Sequence, residues 1–347
     1  IIKSIKKVIK KNNFILGQEV KNFEKLFSYF CNSKYSIGCS NGTDAITLSL
    51  LALNLPKNSE VILPAMTYAS TFYAVINAGL KPVLVDINLS NPLINFEKIK
   101  KKVNRKTRVI LPVHLYGSVV NIKELKKIIK NKNIYIIDDC AQAHGAKHLN
   151  NKRVGGNNIS DISTFSLYPG KNLGAYGDAG IITTNSRKFS ERIRKIRNIG
   201  ATIKFNHELI GYNNRLDTLQ ASILIHKIDQ LDKLNKNRVR ISKRYFAEIK
   251  NQKIKFLNYS PNSVFHQFVI RVKKRSLFTK YLKKNKIEFG FHYPHTINQM
   301  KYFKKNFGNF KFTNAEKLAA ECVSLPIDPM LKTREVDYII KILNNFS

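Results

Sequence analysis

The chain has 347 residues, 43% of them hydrophobic, and its 60 Lys+Arg against 23 Asp+Glu give a formal net charge of +37. That length exceeds what one hydrophobic core usually serves, so a large domain plus a smaller one is expected. The apolar content excludes a disordered chain, and no apolar run approaches the roughly 20 residues that span a bilayer, so no membrane partner is expected.

From the N-terminus, IIKSIKKVIKKNNF reads as an amphipathic helix; a hydrophilic stretch follows it where a signal peptide would carry its apolar core. The first residue is Ile1 rather than Met, so leading residues are expected to precede it. From about residue 18 to 200, β-rich runs alternate with helical patterns, which predicts a mostly parallel sheet covered by helices. The predicted strands are 60–65, 81–87, 107–114, 133–139, 162–167 and 180–185, and helical spacing is expected over Tyr68–Ala78, Asn121–Lys130 and Arg187–Arg197. Beyond about residue 213 the texture changes to long charged amphipathic helices, RLDTLQASILIHKIDQLDKLNKNRVRISKRYFAEI, that lead into an α+β region with a strand at 264–272, a helix near 276–284 and a closing helix from Thr333 to Leu343. The division predicted is 1–235 and 236–347.

The four cysteines, Cys31, Cys39, Cys140 and Cys322, show no CxxC spacing and no neighbouring His cluster, so neither a zinc site nor a disulfide framework is expected; a reducing cytoplasm fits. The positive excess would normally raise nucleic acid as a partner. The lysines are spread along a chain equally rich in Ile and Asn, and no helix-turn-helix, zinc or RNA-binding signature accompanies them. A solvated lysine surface without a nucleic-acid partner is therefore expected, and a basic regulatory protein is the competing reading.

Three segments carry chemistry. In SNGTDAITLSLLAL, residues 40–53, a polar turn runs into an apolar helix whose first N–H groups and positive dipole end suit a phosphate, with Gly42 and Thr43 at the turn. An ordinary N-cap reads the same way. In YIIDDCAQAHGA, residues 135–146, Asp138 and Asp139 stand where a buried strand emerges at the carboxyl edge of the sheet, the edge at which open α/β sheets bind ligands. In STFSLYPGKNLGAYGDAG, residues 163–180, Lys171 follows a strand and a Pro-Gly turn among small residues. A lysine lodged there loses its charge by desolvation and can attack a carbonyl to form an imine. A phosphate, a ring nitrogen that wants a carboxylate and an aldehyde that wants an amine together describe pyridoxal phosphate.

At these residues the sequence resembles the DegT/DnrJ/EryC1/StrS family of sugar aminotransferases, from about Phe14 to the C-terminus. FILGQEVKNFEKLF, SNGTDA, VILPAMTY, LPVHLYG, DDCAQAHGA, FSLYPGKNLGAYGDAG, GYNNRLDTLQA and FHYP occur in the family's order. The resemblance implies the α/β fold of type I PLP-dependent aminotransferases, with a large domain built on a mostly parallel mixed sheet and a smaller C-terminal α+β domain. It implies Lys171 as the imine-forming lysine, Asp139 as partner of the pyridine nitrogen, Gln142 beside the ring hydroxyl and Tyr68 stacked on the ring. Gly42, Thr43 and Ser166 would cradle the phosphate, and Asn213 would reach across from a second subunit, so a homodimer with shared sites is implied. Tyr168, His292 and Tyr293 would contact substrate. The implied reaction moves an amino group from glutamate to a nucleotide-linked keto-sugar. GDAG and YPGKNLGA look most like members acting on dTDP-linked 3-keto-6-deoxyhexoses, while near relatives use 4-keto sugars and a neighbouring branch, with histidine in place of the lysine, dehydrates sugars. The stretch HYPHTINQM departs from the family pattern, with Asn298 near the usual His, on the substrate side.

Overall fold

A computed structural model describes residues 1–129, 133–156, 158–203 and 205–347. Helices α1 (Ile2–Lys11) and α2 (Gln18–Cys31) precede β1 (Tyr35–Cys39), and α3 (Gly42–Ala52), β2 (Glu60–Pro64), α4 (Ala69–Asn77) and β3 (Lys81–Val85) follow. Next come α5 (Phe96–Lys102), β4 (Thr107–Ile110), α6 (Ile122–Ile128), β5 (Tyr135–Asp139), β6 (Ile162–Ser166), β7 (Gly180–Thr184) and α7 (Arg187–Ile196). A short hairpin, β8 (Ala201–Ile203) and β9 (Asn206–His207), leads to α8 (Thr218–Ile228) and α9 (Leu231–Glu248). The remainder is β10 (Ile254–Phe256), β11 (Phe268–Val272), α10 (Arg275–Lys284), α11 (Lys301–Phe307), α12 (Thr313–Glu321), β12 (Cys322–Leu325) and α13 (Thr333–Asn344).

The main sheet has seven strands in the order β1-β7-β6-β5-β4-β2-β3. Pairings from β3 through β2, β4 and β5 to β6 are parallel, and β7 is antiparallel to both β6 and β1. The expectation of a mostly parallel α/β sheet therefore holds, and β7 alone runs against the other six. The carboxyl ends of those six strands share one edge.

The predicted strands fall where expected, each shorter by one residue or more, and the largest losses are in two of them. β4 stops at Ile110 rather than His114, because Pro112 has no N–H to extend the ladder. β11 begins at Phe268 rather than Val264, since Phe265 takes a left-handed φ of 45° that breaks the extended run. The helix expected at Tyr68 starts one residue later, with Tyr68 as its N-cap. In the helix expected over Asn121–Lys130, Lys130 lies outside the described residues and α6 ends at Ile128. Strands β1, β8, β9, β10 and β12 had no counterpart in the sequence reading; each is short and lacks a long β-branched run.

One cluster joins Ile62, Val109 and Ile110 of the sheet with Leu48 of α3 and Phe72 of α4, and with Phe303 and Leu318 from α11 and α12. In a second, Phe165 and Ile181 meet Phe23 and Phe27 of α2 and Leu224 of α8. A separate cluster joins Ile241 and Tyr245 of α9, Phe268 and Ile270 of β11, Phe278 of α10, and Ile339 and Leu343 of α13. The four cysteines are free and buried.

Glu24 of α2 is buried and ties this region together. Its carboxylate accepts from Arg197 Nη1 (2.6 Å), Arg194 Nη1 (2.7 Å) and the Gly38 N–H (2.9 Å). Burial raises its pKa, but the Arg197 and Arg194 charges with the Gly38 N–H outweigh it and the net shift is downward. A depressed carboxylate contributes stability above its unfolded pKa and loses it as pH falls through the folded one. Glu24→Gln should lower unfolding free energy by about 3 kcal/mol at neutral pH, because two guanidinium groups lose their counter-charge. Urea unfolding should show that gap narrowing as the pH is taken below about 4.

Candidate functional site

Four segments converge on one edge of the sheet. Asn41, the N-cap of α3, accepts the Asp44 N–H through its side chain (2.9 Å), which leaves the Gly42 and Thr43 N–H groups without a partner among the described residues. Gly42 is required by packing, since a Cβ there would stand 2.6 Å from Ser166 Cβ. Ser166 ends β6, and Lys171 follows it in the loop to β7. Asp139 ends β5, and Tyr68 stands at the head of α4. Together they line a cavity of about 770 Å³.

Of the residues singled out in the sequence, Gly42, Thr43, Tyr68, Asp139, Gln142, Ser166, Tyr168, Lys171, His292 and Tyr293 all line it. Asn213 does not; it is exposed and pairs with Asn198 outside the cavity. Asn298, flagged for its departure from the family pattern, is buried away from the cavity and donates to the Phe310 carbonyl and Glu316 (both 2.8 Å). Strand alternation separates the two aspartates. Asp139 faces the cavity, whereas Asp138 is buried with Ser160, which donates to it, and with His114 Nε2 at 3.4 Å. The fold also brings Cys140 beside that pair, with the candidate ligand atoms of His114, Asp138 and Cys140 within 4.8 Å of one another, a juxtaposition that sequence spacing did not disclose.

Asp139 is 4% exposed. Its Oδ2 accepts from the Thr71 hydroxyl (2.8 Å) and its Oδ1 from the Ala141 N–H (3.0 Å), while the Thr67 and Thr71 hydroxyls lie 2.8 Å apart. Burial raises the Asp139 pKa; the Ala141 and Thr71 donors, the Lys171 charge and His114 oppose it. Burial lowers the Lys171 pKa, with Asp139 as the opposing charge. The lysine is thus brought toward the neutral, nucleophilic form and the carboxylate toward demanding a cation.

The aromatic wall is fixed by polar contacts. Gln142 Oε1 accepts from the Tyr116 N–H (2.6 Å), and its Nε2 donates to the Tyr293 hydroxyl (2.8 Å). Tyr116 adopts a left-handed φ of 60°, unusual for a bulky residue, and donates its hydroxyl to the His292 carbonyl. The Tyr68 and Tyr293 rings lie 5.6 Å apart, and Tyr68 is 58% exposed, so it is not ordinary helix packing. His292 Nδ1 is 2.7 Å from the Ser324 hydroxyl. Sequence reading missed Thr71, Asp178 and His266, all of which line the cavity. The TxxxT spacing of Thr67 and Thr71 gave no signal of its own, and His266 lay inside what read as a strand.

These residues fit pyridoxal phosphate by their donor chemistry. Two unpaired N–H groups with the Thr43 hydroxyl match a phosphate, a buried carboxylate matches a protonated ring nitrogen, and a desolvated amine matches the aldehyde. Comparison with known proteins agrees. The family model described as DegT/DnrJ/EryC1/StrS aminotransferase matches residues 1–344, a wider span than the stretch from Phe14 that the motifs covered. The chain is 39% identical over 348 residues to the dTDP-3-amino-3,6-dideoxy-alpha-D-galactopyranose transaminase of Aneurinibacillus thermoaerophilus, covering 100% of this chain and 95% of that one. Its fold superposes with TM-score 0.94 on Streptomyces venezuelae DesV, solved with a ketimine intermediate, at 31% identity over 98% of this chain and 92% of that one. Bacillus subtilis ntda, solved with bound cofactor PMP, gives TM-score 0.91 at 28% identity over 99% and 80% of the two chains. Sequence, cavity and relatives converge: this chain belongs to the DegT/DnrJ/EryC1/StrS aminotransferase family and is a sugar aminotransferase that uses pyridoxal phosphate.

Proposed function

We propose that the chain transfers the amino group of glutamate to the keto carbon of a nucleotide-diphosphate sugar, a dTDP-linked 3-keto-6-deoxyhexose. The observation that carries the reading is one cavity in which a desolvated Lys171, a buried Asp139 and the head of α3 meet. The substrate follows from the Aneurinibacillus relative, whose name specifies a 3-amino-3,6-dideoxy sugar on dTDP. When bound, pyridoxal phosphate supplies the aldehyde that accepts the amine and a ring that draws electrons from the breaking C–H bond.

In this reading Lys171 would hold the cofactor and, once free, its amine would serve as the proton shuttle within the site. Asp139 keeps the ring nitrogen protonated, its position set by Thr71 and the Ala141 N–H. Gln142 meets the ring hydroxyl and Tyr68 covers the ring face; Gly42, Thr43 and Ser166 hold the phosphate. Tyr168, His292 and Tyr293 border the sugar. Asn213, exposed and outside the cavity, serves the site of a second copy, so the working unit is a homodimer. Residues 1–235 form the large domain and 236–347 the small one, with His266, His292 and Tyr293 brought to the cavity from the latter. Four free, buried cysteines suit a reducing cytoplasm.

Lys171→Ala should abolish both the visible absorbance of the bound cofactor and its response to glutamate; a coloured variant with unchanged turnover refutes the assignment. Thr71→Val, which removes a donor from Asp139 at nearly constant volume, should raise the Asp139 pKa further and lower kcat about tenfold. The same variant should hold the ring proton to higher pH than the parent, since its carboxylate has one donor fewer, read from the pH dependence of the cofactor band. In a panel of dTDP-, UDP- and GDP-linked 3- and 4-keto-sugars with glutamate, kcat/KM should be highest for the dTDP 3-keto-6-deoxyhexose. A preference for a 4-keto sugar overturns that choice and leaves the aminotransferase intact.

A further inference from the structure

We propose that His266 is a positioning residue whose tautomer is locked with hydrogen on Nδ1, so that its Nε2 is a permanent lone-pair acceptor for the Lys171 amine. The lock is a chain of amides anchored on backbone carbonyls. A carbonyl oxygen only accepts, so the end of Asn235 that meets the His144 carbonyl (2.8 Å) is its NH2, and Asn235 Oδ1 is the end left to accept. Asn172 gives its own NH2 to that oxygen (2.8 Å) and lies 3.3 Å from the Val264 carbonyl, which fixes its orientation independently. Asn172 Oδ1 therefore faces His266 Nδ1 at 3.0 Å as an acceptor, and the hydrogen between them belongs to the imidazole.

His266 is 7% exposed and Asn172 and Asn235 are similarly buried, so water does not compete for these contacts. Asn172 lies behind the cavity wall and His266 lines the cavity, so with Nδ1 engaged the Nε2 edge is what the ring offers to it. Burial, then the charges of Lys171, Arg238, His144 and His292, hold the imidazole well below its ordinary pKa, so Nε2 stays unprotonated. Among its cavity neighbours Asp139 is a hydrogen-bond acceptor and the Gln142 amide is already given to Tyr293. Lys171, the ammonium that lines the same cavity as His266, is the donor assigned to it. An acceptor there steadies the amine when it is not bonded to cofactor, the state in which it must carry a proton.

The proposal rests on Lys171 being the reacting amine. It is tested on holoenzyme labelled with 15N-histidine, the His266 signals being assigned by their loss in His266→Gln. The expected result is a neutral Nδ1–H ring that does not titrate between about pH 5.5 and 9; an Nε2–H ring, or titration near the ordinary histidine value, overturns the lock. Asn172→Leu, which removes the acceptor, should yield a mixed tautomer. His266→Phe should lower kcat about tenfold or more with KM for the sugar within about twofold, and His266→Gln, whose Oε1 can stand where Nε2 stood, should recover part of the loss. Losses equal in Phe and Gln, or confined to KM, overturn the acceptor role. Should Lys171→Ala keep the cofactor band, the amine that His266 serves is lost while the tautomer result stands on its own.

Discussion

A carboxylate taken out of water must be given donors or a cation, and Asp139 is given both. The Thr71 hydroxyl and the Ala141 N–H occupy one site on each oxygen, and the Lys171 charge lies close enough to oppose the effect of burial. Protein donors alone leave the pKa raised, so the pocket is energetically incomplete as the bare chain presents it. In the proposed reading a protonated ring nitrogen would supply what is missing, and cofactor affinity and ring protonation would be one interaction viewed from its two ends.

Sheet direction places the other groups around that carboxylate. Because β1, β2, β5 and β6 run the same way, the head of α3, the head of α4, Asp139 and Ser166 emerge at a common edge. Antiparallel β7 starts at that edge, with Gly180 opposite both Cys39 and Ser166, and so returns the Lys171 loop over the site. The contact between Gly42 and Ser166 is the tightest consequence. A side chain at 42 would push the head of α3 away from β6, which is why glycine is needed there.

Much of this was legible because strand ends advertise themselves. Lys171 and Asp139 stand at or just after predicted strands, and Gly42 stands where a polar turn runs into an apolar helix, positions that the sequence encodes locally. The residue pattern alone left Asp138 and Asp139 open; the resemblance implied Asp139, and the alternation of β5 turns that residue to the cavity. Thr71 was hidden because its partner is 68 residues away, and His266 because Phe265 turns left-handed and pulls it out of the strand it resembled. Asn213 illustrates a different limit: the resemblance implies it, and the fold leaves it exposed beside Asn198, outside the cavity.

The surplus charge takes a particular meaning against the cavity's own lining. Among the described residues Lys171 is the one lysine or arginine that lines it, with Asp44, Asp139 and Asp178, although the chain as a whole carries +37. Asp44 is occupied locally, accepting from Ser40 and, at 2.7 Å, from Asn41. In the proposed reading a phosphate here would be held by backbone N–H and hydroxyl groups, which bind by geometry. A diphosphate-bearing substrate would meet no second lysine or arginine among the described lining residues and would draw on the basic exterior. The same exterior raises the local concentration of such an anion. Burial is what brings the reacting amine toward neutrality, against the opposing Asp139 charge.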